Sequence, residues 1–283
     1  MRLRAEVRGL LVSVHGRVRG RDTALIAAGL TFYAAFAVVP VLVLSLWLAS
    51  HLTGTGSVRG LGADLADLLP GSLGAPVAVR RLVTAGVGLS GWHALLTLLP
   101  ISLYGEGLRR ALLRYSPAPD RYTAWRGRLL ALPLLVAAPF LLLLLLHAGR
   151  AVLSLTGEGR VGAWLGGFLV GYYTLLAVLF VPLVWGFGVV AAGRLRRGAL
   201  LAGAFITAAS LSGFLQGLTL FLDLPLDLGA PFGGLTAVGS ALAVAFWLWL
   251  LQFVVIAGWL FTEALDDRLR RGRPVAEEPV PAG

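Results

Sequence analysis

Six stretches of this chain carry no aspartate, glutamate or arginine, and the chain has no lysine at all. They are Thr23–Val58, Leu82–Gly105, Leu129–Gly149, Val161–Gly193, Gly198–Leu222 and Leu228–Thr262. Each reaches the roughly 20 residues that a helix needs to cross a hydrocarbon core. In lipid every backbone polar group must be paired within the protein, so only helices and closed barrels span. Barrel strands alternate apolar and polar residues, whereas these runs are continuously apolar, as in Leu141–Leu146. The pattern predicts an all-α membrane protein, a six-transmembrane-helix bundle. Its spans lie at about 24–50, 82–104, 129–149, 163–191, 199–222 and 234–262.

Composition closes the other routes. Of the 283 residues, 58% are hydrophobic and 13% charged, against about 25% charged in an ordinary soluble domain. That much apolar surface has no place in a soluble core of this length, and it excludes disorder for the bulk of the chain. With no cysteine, disulfide scaffolds and thiolate metal sites are excluded.

The arginines set the expected orientation. Nineteen of the 24 lie in alternate segments: the N-terminus, the 105–128 loop, the 192–198 loop and the C-terminal tail. The intervening loops hold five. Basic loops stay in the cytoplasm, so both termini are expected there. This asymmetry accounts for most of the net charge of +10 and leaves no need for a nucleic-acid partner.

Residues 1–22 read as a cytoplasmic basic amphipathic helix. Leu3, Val7, Leu10, Leu11, Val14 and Val18 recur at helical spacing among Arg2, Arg4, Arg8, Arg17 and Arg21, a pattern suited to an anionic leaflet. The membrane domain covers 23–265. Within its 51–81 loop, Leu61, Leu65, Leu68 and Leu69 predict a short interfacial helix ended by Pro70-Gly71. Residues 266–283 form a cytoplasmic tail, Pro- and Glu-rich towards its end and expected to be disordered.

Polar groups inside a membrane are costly, so each is a functional candidate. Glu106 precedes Arg109 and Arg110 by helical spacing and can pair with both. With Arg126, Arg194 and Arg196 they form a candidate cytoplasmic gate or set of lipid-phosphate contacts. Tyr172, Gln216 and Glu263 are candidate cavity-lining residues, with Tyr33 as a further one. The bland readings are that Glu106 and Glu263 mark membrane boundaries and that Gln216 bonds to a neighbouring helix. Pro40, Pro100, Pro133, Pro139 and Pro182 interrupt spans and favour kinks, and Gly167, Gly171, Gly186 and Gly188 permit close packing or hinges.

No phosphate loop, zinc-protease helix or serine-hydrolase elbow is present, and no pair of carboxylates sits mid-span. His93 and His147 lie on different spans without a carboxylate at ligand spacing. Asp223 and Asp227 flank Pro225 in a loop that reads as solvated. No catalytic residue, metal or cofactor is expected.

The run Asp22-Thr23-Ala24-Leu25-Ile26-Ala27-Ala28-Gly29-Leu30-Thr31-Phe32-Tyr33-Ala34-Ala35-Phe36-Ala37-Val38-Val39-Pro40 resembles the first-span signature of the BrkB/YihY-type inner-membrane proteins, a family once mistaken for ribonucleases. Asp22, Tyr33 and Pro40 are its motif positions here. Tyr104 to Tyr115 with Arg126, the 196–204 run, and Trp247-Leu248-Trp249 with Ala257-Gly258 resemble the family further along. The last span departs from the pattern: it opens with Phe232-Gly233-Gly234, and its acid, Glu263, comes a turn late. The resemblance implies a bacterial cytoplasmic-membrane protein linked to envelope material. Together with kinked spans and an arginine-rich rim, it points to a transporter or flippase for an amphipathic, lipid-like molecule. The alternative is a membrane scaffold or partner subunit without transport. Membrane lipids are the expected partners, with homo-oligomers or envelope proteins open.

Overall fold

The computed structural model describes residues 16, 22–69, 71, 74–116, 128–130, 132–156, 161–191, 195–222, 224 and 228–271; side chains are not described for 155–156, 161–164 and 222. The predicted amphipathic helix before Asp22, apart from helical Gly16, and the tail beyond Arg271 lie outside these residues. So do Arg126, Arg194, Asp223 and Asp227.

Eight α-helices and no strands occur among the described residues. They are α1 (Thr23–Thr53), α2 (Thr55–Asp67), α3 (Ala75–Val87), α4 (Gly91–Leu113), α5 (Pro133–Thr156), α6 (Val161–Trp185), α7 (Arg197–Leu222) and α8 (Thr236–Arg271). Five have the length and apolarity to cross a membrane: α1, α5, α6, α7 and α8. With the charge-free stretches they make this a multi-pass membrane protein.

Asp22 caps the start of α1, its Oδ1 accepting from the Leu25 amide at 3.0 Å. One orphan amide of the first turn is thereby satisfied. Hydroxyls within α1 return to their own helix: Thr31 Oγ1 donates to Ala27 O, and Ser45 Oγ to Val41 O. No polar hydrogen of these side chains then faces lipid. α1 ends at Gly54, whose φ of +88° suits glycine.

The helix in the 51–81 loop is there, and it has a partner that the sequence reading missed. α2 and α3 form a hairpin, closed by Arg80–Asp67 at 2.7 Å. Gly62 lies against Val83 and Gly86 against Leu46, with no room for a Cβ at either glycine. Leu61, Val58 and Val83 join Leu46, Ala49, Leu142 and Leu146, so the hairpin is seated on α1 and α5.

The stretch expected as one span, 82–104, is divided. α3 ends at Val87, Gly88 and Leu89 are non-helical, and the Ser90 side chain caps α4. α4 then continues to Leu113, carrying Glu106, Arg109 and Arg110 inside a helix rather than into a loop. A uniformly apolar composition hid this break, since glycine and serine disturb hydropathy little.

α1 and α4 pack antiparallel: the Tyr115 hydroxyl donates to Thr23 Oγ1 at 3.0 Å, and the Tyr33 ring lies on Gly107. α6 and α7 are antiparallel through Tyr172–Ala209 and Gly188–Leu200. α6 ends in a π-helical turn, Gly186–Val190, a few residues after Pro182. Such turns collect where helices are kinked or functional.

α7 and α8 meet through a reciprocal contact. Thr207 sits over Gly258 and Thr262 over Gly203. Each threonine donates back to its own helix, Thr207 to Gly203 O and Thr262 to Gly258 O, both at 2.7 Å. Small residues bring the backbones close, and the hydroxyls remain satisfied. The main core gathers here, with Phe187, Ala204, Ala208, Ile256, Trp259 and Leu260 fully or nearly buried.

Candidate functional site

α5 leans on α1, α2 and α6. Between it and α4, α7 and α8 remains a cavity of about 430 Å³, within the range of small-molecule sites, roughly 300–1,000 Å³. Leucine, valine and alanine dominate its wall, including Leu135, Ala138, Leu141, Val178 and Leu211. The π-helical turn contributes Gly186 and Val190. Every lining side chain is uncharged.

Three polar side chains reach this wall: Ser45, Tyr104 and Gln252. The Tyr104 hydroxyl donates to Gln252 Oε1 at 3.2 Å, joining α4 to α8. Gln252 is 5% exposed, and its amide nitrogen makes no hydrogen bond among the described residues. Gln252 lines the cavity, so the two amide hydrogens are left for whatever occupies that space.

One turn along α4 from Tyr104 lies a compact ion cluster. Arg109 Nε donates to Glu106 Oε2 at 3.1 Å, and its Nη2 to Oε1 at 3.3 Å. Arg110 Nε donates to the same Oε1 at 2.6 Å. Glu106 and Arg109 are buried, whereas the Arg110 side chain is 64% exposed. The spacing reading thus brings these three together.

A second polar junction sits where α7 begins. Asp266 of α8 accepts from the Arg196 amide at 2.9 Å and from Arg270 Nε at 2.7 Å. The Arg196 side chain donates to Leu269 O. Arg196 therefore holds the end of α8. Glu263 is buried one turn earlier in α8.

The cavity is not lined by the residues expected for it. Tyr172 donates to Ala209 O at 3.1 Å and Gln216 lies against Gly171, so both are spent along the α6–α7 seam. Tyr33 is half-exposed on Gly107, and Glu263 is buried in α8 without lining this cavity. Tyr104 and Gln252 are the residues missed. Gln252 was visible as a polar side chain in the last apolar stretch, as Gln216 was in its own.

Pro40 lies inside α1, and Asp22 caps it. His93 bonds with Ser90 in the first turn of α4, and His147 with Leu143 O. No group of three or more metal-ligating side chains occurs among the described residues. Two buried donors there have no partner, Arg128 Nε and Trp259 Nε1.

The family model for virulence factor BrkB matches residues 14–281. The chain belongs to the BrkB family. That match covers all eight helices of the BrkB fold described above. No curated protein and no solved structure matches the chain.

Proposed function

We propose that this BrkB-family protein is a transporter or flippase that moves an amphipathic, lipid-like envelope molecule across the bacterial cytoplasmic membrane. The observation that carries the reading is the cavity of about 430 Å³ among six helices, apolar but for three uncharged polar side chains. A bundle serving only as a scaffold has no use for such a space, and helix packing would close it. The scaffold or partner-subunit reading stays as the alternative.

In this reading the chain crosses six times. α4 is the sixth span, 23 residues long, or about 35 Å of helix; Glu106 pairs with the buried Arg109, and the charge left over sits with the largely exposed Arg110. Both termini are cytoplasmic, because the arginine-rich segments alternate with arginine-poor ones. The partners are membrane lipids, with the exposed Arg110 guanidinium as a contact for lipid phosphates. The protein is neither an enzyme nor a nucleic-acid binder, and the ribonuclease label has no role in it.

The test is movement of a fluorescent phospholipid between leaflets of proteoliposomes. Wild type should exceed protein-free vesicles, and Ala138→Trp, which fills the cavity, should return to the blank while still folded. No movement in wild type would remove the transport reading and favour the scaffold.

A further inference from the structure

Whatever occupies the cavity must satisfy its walls. The walls hold no charge, and an ion placed there would lose its hydration with nothing to pair it. The polar groups present are neutral and directional. Gln252 offers an amide nitrogen with two hydrogens and no partner, from a side chain 5% exposed. Tyr104 has given its hydrogen to Gln252 Oε1, which polarises the amide and strengthens its remaining donors. Ser45 has given its own hydrogen to Val41 O at 2.7 Å. The wall therefore presents a single free donor group, set in leucine and valine.

Resting on the transport reading, we infer that the cavity holds one hydrocarbon chain whose uncharged oxygen, an ester or amide carbonyl, accepts from Gln252 Nε2. The geometry assigns the substrate class by its buried part: a neutral acyl linkage, with any phosphate left outside. The Glu106 cluster cannot serve as the phosphate's seat inside the cavity. Its carboxylate already occupies Arg109 at two nitrogens, and Arg110 points its exposed side chain outward. Tyr104 and Gln252 are accordingly specificity-determining residues rather than mere inter-helix glue.

The experiment uses full-length protein in phosphatidylcholine nanodiscs, photolabelled with three diazirine probes of equal chain length. One is a methyl ester, one an alkane, and one a quaternary ammonium. Adducts are mapped by mass spectrometry. The ester should label peptides carrying Leu135, Leu141, Val178 or Leu211, about five- to tenfold above the alkane, as one buried hydrogen bond predicts. The ammonium probe should label the cavity least. The double variant Tyr104→Phe/Gln252→Leu leaves no orphaned partner and keeps volume, so it should fold; it should lose the ester preference and keep alkane labelling. Equal labelling by ester and alkane in wild type overturns the inference. So does an ester preference that survives in the double variant, or cavity labelling led by the ammonium probe. Ester-selective labelling without lipid movement in proteoliposomes would sink transport and leave this site standing. Lipid movement without ester selectivity would do the reverse.

Discussion

Thr207 of α7 rests directly on the bare backbone of Gly258 in α8, and four residues along each helix the same contact recurs with the roles exchanged, Thr262 on Gly203. Neither glycine has space for a Cβ. Gly258→Val should therefore lower stability in detergent by about 3 kcal/mol, the upper end for overpacking a tight contact. Adding Thr207→Ala should recover less than half of that, because the alanine Cβ still stands 2.8 Å from the new one. Thermal unfolding of the purified single and double variants checks both numbers.

Breaking the ion cluster on α4 should be strongly asymmetric. Glu106→Leu removes the carboxylate that accepts from two nitrogens of the buried Arg109 guanidinium and should cost about 2–3 kcal/mol. Arg110→Ala removes a largely exposed partner and should cost less than about 1 kcal/mol. Denaturant titrations of the two variants decide this; equal losses would contradict the burial difference.

Asp266 performs for α7 the service that Asp22 performs for α1, but from another helix. Asp266→Ala frees the Arg196 amide and releases Arg270, and should cost about 1–2 kcal/mol. Amide hydrogen exchange should quicken in the first turn of α7 and leave the α6–α7 seam unchanged.

The absence of native cysteine makes orientation directly measurable. Gly71→Cys, beside the α2–α3 hairpin, should react with an impermeant maleimide added to whole cells. Ser116→Cys, just past α4, should react only after the cells are opened. The opposite pattern would invert the proposed topology.

Much of this architecture could be read without coordinates, and the reasons are local. The Glu106–Arg109–Arg110 pairing depends on neighbours within one helical turn, where spacing decides contact. The helix divide at Gly88 did not show, because hydropathy averages over a window and one glycine between two apolar runs scarcely moves it. The α2–α3 hairpin did not show either, since its partner surface on Leu46, Leu142 and Leu146 is distant in sequence. The cavity failed for the same reason. Tyr172 and Gln216 look as suitable as Tyr104 and Gln252 when each helix is viewed alone. What separates them is rotation about the helix axis, which turns the first pair into a packed seam and the second towards a space.

The uncharged wall around Gln252 also fixes how any passage there would be powered. One elementary charge moved across the membrane exchanges about 2.3 kcal/mol for each 100 mV, and a titrating carboxylate or imidazole could draw on a pH difference. The described lining has neither a formal charge nor such a group, so it is blind to voltage and to acidity alike. A neutral acyl linkage resting there would be driven by its own abundance on the two sides, and the bundle would act as a solvent for the chain rather than as an engine.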